Sequence, residues 1–255
     1  MTAADGTLEL KNVSPGRHTL RVRAKGFQER TLTLAPTERG QLDVTLKPTT
    51  DEAELAFQEA EEATSRASDD AAREQAVALY RRALSLRARF PEAHVALARL
   101  LLALGRTDDA LDEIEAARRA RPVYPEASAV EGRILRAAAD ETAAIESYRR
   151  AIREGRGFQP EAYAGLGIAL EERGDYPGAI DAFRKALSQL SDTEPALYQL
   201  LGAAYEKLER WKEALAAYEK YLALAPEGKF ASAIHSIIDQ LRLQAAEQES
   251  APPIP

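Results

Sequence analysis

The chain has 255 residues, a formal charge of -7, 45% hydrophobic and 29% charged residues, and a pI near 5.3. That balance describes a globular chain of one or two domains and argues against a general nucleic-acid binder, which needs a basic stripe to displace counterions. With no cysteine, disulfides, thiolate catalysis and cysteine-bound zinc or iron–sulfur centres are excluded.

The first residues, MTAADGTLEL, carry neither the basic n-region nor the apolar h-region of a signal peptide, and no apolar run reaches the length of a membrane span. The runs TLELKN, HTLRVRA, RTLTLA and QLDVTLK within residues 7–47 alternate apolar and polar, which predicts four short strands. Leu8, Leu10, Leu20, Val22, Leu32, Leu34, Leu42, Val44 and Leu46 would line one face, with turns at Ser14-Pro15-Gly16 and Lys25-Gly26-Phe27. Asp5-Gly6, the Pro15-Gly16 turn before His18-Thr19-Leu20, and Gly26-Phe27 together resemble the later part of a carboxypeptidase-regulatory-like or PEGA-type β-sandwich. The first strands of that family have no counterpart here. A bare apolar sheet face is a contact site or a liability, and about 45 residues are marginal for an independent core. Three covers are expected: a partner strand, as in a homo-oligomer; the helix around Leu55–Ala63; or residues upstream. The resemblance implies a periplasmic or envelope location if an export signal precedes the chain, and a cytoplasmic one otherwise.

From about residue 50 a repeat takes over. Pro-Glu-Ala occurs at Pro91, Pro125 and Pro160, and Pro195-Ala-Leu continues the series, with steps of 34, 35 and 35. Each proline suits a first helical turn, where its missing N–H is not needed, and each Glu favours the positive helix end. Ala98, Gly132, Gly167 and Gly202 keep the same steps. Ala76, Ala110, Ala144, Ala179 and Ala214 recur at steps of 34, 34, 35 and 35, each followed four residues later by Tyr80, Ile114, Tyr148, Phe183 or Tyr218. Period and residue types resemble the tetratricopeptide repeat (TPR) family. The best copy is Tyr198–Pro226, with Tyr198, Leu201-Gly202, Tyr205, Ala214, Tyr218 and Pro226 at the motif positions; the copy before it has Tyr163, Leu166-Gly167, Ala179, Phe183 and Ala186. Tyr221 departs from the usual late alanine, and Glu131 stands where leucine is usual. The turn in ADETAAIESY is irregular. The first copy has a clear second helix, AREQAVALYRRALSL, but its first helix, Leu55–Thr64, matches only by amphipathicity, with SRASDDAA read as a longer turn.

The resemblance implies a mainly α fold: a right-handed TPR α-solenoid of about five helix pairs, with a small N-terminal antiparallel β module. The expected divisions are a partial β-sandwich over 1–49, the solenoid over 50–227, a capping helix over 228–246 and a disordered tail over 247–255. Phe230, Ile234, Ile237, Ile238 and Leu241 lie at helical spacing and would cover the last repeat. The tail EQESAPPIP is polar and Pro-rich.

Chemistry is hard to find. His18, His94 and His235 are scattered over three elements and read as packing or surface residues, so no metal and no cofactor is expected. Gly165-Leu166-Gly167 lacks the third glycine of a dinucleotide loop and lies within a helix. There is no Walker loop and no nucleophile elbow, and Trp211 and the tyrosines fall at core spacing.

The TPR resemblance implies that first helices line a groove for a peptide or partner segment. The corresponding residues are Val95, Arg99 and Leu102; Ala129, Arg133 and Arg136; Ala164, Ile168, Glu171 and Glu172; and Gln199, Ala203 and Glu206. Such a groove would be basic toward its N-terminal half and acidic toward its C-terminal half. The repeats that clamp acidic chaperone C-termini need Lys and Asn on these faces, where this chain has Val95, Arg99, Ala129 and Arg133, so that partner is not expected. The expected function is a non-enzymatic protein–protein interaction scaffold. The alternative is cell-envelope or carbohydrate attachment through the β module with the repeats as spacer.

Overall fold

A computed structural model describes residues 18–34, 41–190 and 192–250. Two strands, β1 (His18–Val22) and β2 (Arg30–Leu34), precede eleven helices among the described residues. These are α1 (Glu52–Arg66), α2 (Asp70–Leu86), α3 (Pro91–Ala103), α4 (Thr107–Ala120), α5 (Pro125–Ala137), α6 (Glu141–Glu154), α7 (Pro160–Glu172), α8 (Tyr176–Gln189), α9 (Pro195–Lys207), α10 (Trp211–Leu224) and α11 (Ala231–Ser250). The chain divides into two compact units, Met1–Val130 and Glu131–Pro255.

The helices start where the sequence places their signals. The four repeat prolines are the first residues of α3, α5, α7 and α9. Aspartates cap α1, α2, α6 and α8: Asp51 accepts from the Ala53 and Glu54 amides, Asp69 from Ala72, Asp140 from Ala143 and Asp175 from Gly178. The expected long turn between α1 and α2 is absent. Ser65 and Arg66 finish α1 and Asp70 opens α2, so only residues 67–69 connect them.

In the first unit, α1 pairs with α2 and α3 with α4, and α3 also packs on α2 and α1. Phe57 forms the aromatic centre, with its ring 6.0 Å from Tyr80 and 4.9 Å from Phe90. In the second unit α7 pairs with α8 and α9 with α10, while α7 and α9 each also pack on the second helix of the preceding pair. Small residues on the first helices make room for rings on the second. A Cβ on Gly132 would come within 2.8 Å of the Tyr148 ring, one on Gly167 within 2.4 Å of Phe183, and one on Gly202 within 2.6 Å of Tyr218. Gly165 likewise lies against Tyr148, so the Gly165–Gly167 pair is a packing device. Where alanine replaces glycine, at Ala98, the position facing it in the repeat is the smaller Ile114 rather than a ring, and both side chains are buried.

The two departures from the repeat pattern have local explanations. Glu131 forms an ion pair with Arg150 of α6. Tyr221 accepts a hydrogen bond from the Phe230 amide at 2.9 Å, and its ring meets Phe230 edge-on. It is therefore the seat for α11, which buries Ala231, Ile234 and Leu241 with Tyr218 and Tyr221. α11 runs to Ser250, beyond the expected end at 246; the alanines and glutamines of QAAEQ favour helix.

The N-terminal expectation needs correction. The strand expected over 7–12 and the Ser14–Gly16 turn lie outside the described residues. Of the other three expected strands, β1 and β2 form an antiparallel hairpin with Leu20 opposite Leu32 and His18 opposite Leu34, but 41–47 is not a strand. That segment meets the hairpin at one bridge, Phe27 to Pro48, through Gln28 N to Lys47 O at 2.8 Å and Thr49 N to Gly26 O at 2.9 Å. Pro48 occupies the non-hydrogen-bonded position, where no N–H is required, but the described residues make no further ladder there. A four-stranded sandwich face is thus not formed by the described residues. The helix expected to cover it, α1, instead receives the turn between β1 and β2.

Candidate functional site

The first unit contains a cleft of about 500 Å³. Its walls come from α1 (Phe57, Glu61, Thr64), α3 (Glu92, Ala96, Arg99, Leu100, Ala103) and the entry to α5 (Tyr124, Glu126), with Arg73 and Tyr80 of α2 and Arg23 of the hairpin. Charge inside it is paired. Arg99 donates to Glu126 at 3.1 Å, Arg121 pairs with Glu92 and stacks over Tyr124 at 4.5 Å, and Arg23 donates to both oxygens of Glu61 at 2.7 and 2.8 Å. Each partly exposed pair contributes about 0.2–1 kcal/mol, so the cleft is ordered by its charges but not locked by them.

Of the expected groove residues in this unit, Arg99 lines the cleft and Leu102 is half-buried, whereas Val95 and Ala129 are buried in the core. Val95 faces inward because α3 is wrapped by α1, α2 and α4 and buries residues on most of its circumference. The sequence missed Gln58, Glu61 and Glu62 of α1. A helix recognised only by amphipathicity offered no register that would have singled them out, and α2 begins six residues before Ala76 where α4 begins three before Ala110.

A hairpin turn is fixed on those three residues. Gln58 accepts from the Gly26 amide at 2.9 Å and donates to the Phe27 carbonyl at 2.8 Å. Lys25 pairs with Glu62 at 2.7 Å. Gly26 sits at φ +79°, a left-handed backbone that suits glycine. A second hollow, about 280 Å³, is lined by Ala24, Lys25 and Phe27 of the turn and by Glu54, Phe57 and Gln58 of α1.

In the second unit Arg133 is exposed, and Arg136 donates to Glu172 at 2.7 Å. Ile168, Glu171 and Gln199 are half-buried, as are Ala164 and Ala203. Burial, reinforced by neighbouring Glu172, holds the Glu171 carboxyl above its ordinary pKa. Glu206 accepts from the Tyr218 hydroxyl, and burial followed by that contact pushes the Tyr218 phenol far up. Arg99 is paired with Glu126 and Arg136 with Glu172, so these arginines carry acidic partners in the structure. Among the described residues no group of His, Asp and Glu is placed to hold a metal, and no helix is long and apolar enough to cross a membrane.

Three tetratricopeptide repeat models match, over residues 69–134, 129–195 and 196–231. None of these segments reaches the hairpin. No match is found among curated proteins. Among solved structures, the chain is similar to PilW, a type IV pilus biogenesis factor (16% identity, TM-score 0.66, covering 79% of this chain and 92% of that one). It is similar to Pseudomonas aeruginosa PilF (17% identity, TM-score 0.65, covering 76% and 87%). It is also similar to YrrB, a TPR protein with an unusual peptide-binding site (20% identity, TM-score 0.54, covering 73% and 93%). At these identities the likeness establishes the fold. With matched segments running together from 69 to 231 and helix pairs repeating at the matched period, the chain belongs to the tetratricopeptide repeat family.

Proposed function

We propose that the chain is a non-catalytic scaffold that holds a partner segment against the first helices of its repeats. The observation that carries this is the cleft of the first unit, which joins aromatic walls from Phe57, Tyr80 and Tyr124 to charged groups held in weak, exchangeable pairs. An extended peptide can replace such pairs one by one, donating to Glu126 or Glu61 and accepting from Arg99. In the second unit the same role falls to Arg133, Arg136, Ile168, Glu171, Glu172, Gln199 and Glu206. Protein partners are the general use of this fold family, and a peptide-binding relative of the same fold supports it.

The test is quantitative capture of binding proteins by the full chain and by two variants. Arg99→Glu with Arg133→Glu reverses groove charge, while Arg149→Glu alters α6, where Arg149 pairs with its helix neighbour Glu146. Loss of the same captured proteins from the groove variant alone is expected. Identical capture by all three would remove the groove from the account.

A further inference from the structure

The turn between β1 and β2 is docked on α1 by polar contacts rather than by apolar packing. Arg23 lines the same cleft as Arg99 and Glu126. The contacts have the form of peptide recognition: one side-chain amide reads a backbone N–H and a backbone C=O, and two carboxylates read two cationic side chains spaced i and i+2. The turn is closed by the Phe27 amide donating to the Ala24 carbonyl at 3.1 Å, and both cations meet carboxylates of α1 from it.

We propose that Gln58, Glu61 and Glu62 form a subsite selective for a turn-forming segment of the form basic-x-basic-Gly, and that the chain's own Arg23-Ala24-Lys25-Gly26 is its resident, displaceable occupant. This rests on the scaffold reading and names the ligand class of one end of its cleft. Selectivity follows from charge and backbone. The two glutamates disfavour an acidic segment, and the Gln58 amide needs a backbone with a free N–H, which a proline at the Gly26 position would lack. Displacement is feasible because the ion pairs are solvent-accessible, with Lys25 75% exposed and hence only weakly held. Phe27 adds little anchorage, remaining 36% exposed. A hollow remains between the turn and α1, so the resident fills the subsite incompletely.

The experiment uses the full chain and a fluorescein-labelled peptide with the sequence LRVRAKGFQER, followed by anisotropy at low ionic strength. Arg23→Glu with Lys25→Glu repels the resident turn from α1. Peptide binding at least tenfold tighter to this variant than to wild type is expected, and adding Glu61→Lys with Glu62→Lys should abolish it. Circular dichroism confirms that each variant retains its helices. Equal affinity for wild type and the Arg23/Lys25 variant, or no binding to that variant, overturns the proposal. Either outcome leaves the capture test with Arg99 and Arg133 intact, so failure of the subsite is distinguishable from failure of the scaffold.

Discussion

Gly167 and Phe183 show how single residues set the spacing of a helix pair. Gly167→Ala should destabilise the protein by about 1–3 kcal/mol through overpacking, although alanine is the better helix former by about 1 kcal/mol. Thermal unfolding should show that loss, and Phe183→Leu in the same molecule should recover part of it, because the two residues touch and their effects do not add. A histidine makes a second case. His94 Nδ1 lies 2.6 Å from Glu113 and Nε2 lies 3.0 Å from the Ala88 carbonyl. Both neighbours are acceptors, so the doubly protonated ring satisfies both. Burial would lower the His94 pKa and nearby Arg119 opposes the charge, but the hydrogen bonds to Glu113 and Ala88 raise it above the ordinary value of 6.5. A raised folded pKa lends stability that is complete below the unfolded value and fades as pH rises through the folded one. The stability gap between wild type and His94→Gln should therefore be widest in mild acid and shrink toward pH 8 or above; a gap that is constant with pH would rule out the charged ring.

Turns inside the last four helix pairs are built alike. Gly105, Ala139, Gly174 and Glu209 all have positive φ, at 73°, 61°, 83° and 56°. In each turn this residue's amide donates three residues back and the next amide donates five residues back, as in Ala139 N to Arg136 O and Asp140 N to Leu135 O. Two of the four therefore hold a side chain in a left-handed conformation that costs roughly 1–2 kcal/mol, against about 0.5–1 kcal/mol for the extra freedom of an unfolded glycine. Ala139→Gly and Glu209→Gly should each raise stability by about 0.5–1 kcal/mol in denaturant titrations, and Gly105→Ala should lower it. The irregular look of ADETAAIESY came from this missing glycine alone; the Asp140 cap held the helix start. Helix starts, pairing and the α11 cap were legible because proline, small-residue and aromatic positions each report a local requirement. Residues 41–47 misled because alternation records which side a side chain favours but not whether a neighbouring strand is there to bond. The charge pairing was hidden for a similar reason: Arg136 and Glu172 are 36 residues apart, and only the stacking of repeats brings them together.

At the scale of the whole molecule, five helix pairs use one packing scheme while their first helices carry different surface groups. The glycine–ring contacts lie between packed helices, away from the first-helix groups to which the proposed recognition is assigned. Partner contacts should then concentrate on first helices in both units. Site-specific photo-crosslinking tests this most directly, with a benzophenone amino acid placed at Leu102 or Gln199 on first helices and, for comparison, at Glu115 or Glu146 on second helices. Adducts to other proteins from Leu102 and Gln199, with few or none from Glu115 and Glu146, are the predicted result. Equal adducts from all four positions, or adducts only from the second helices, would contradict it.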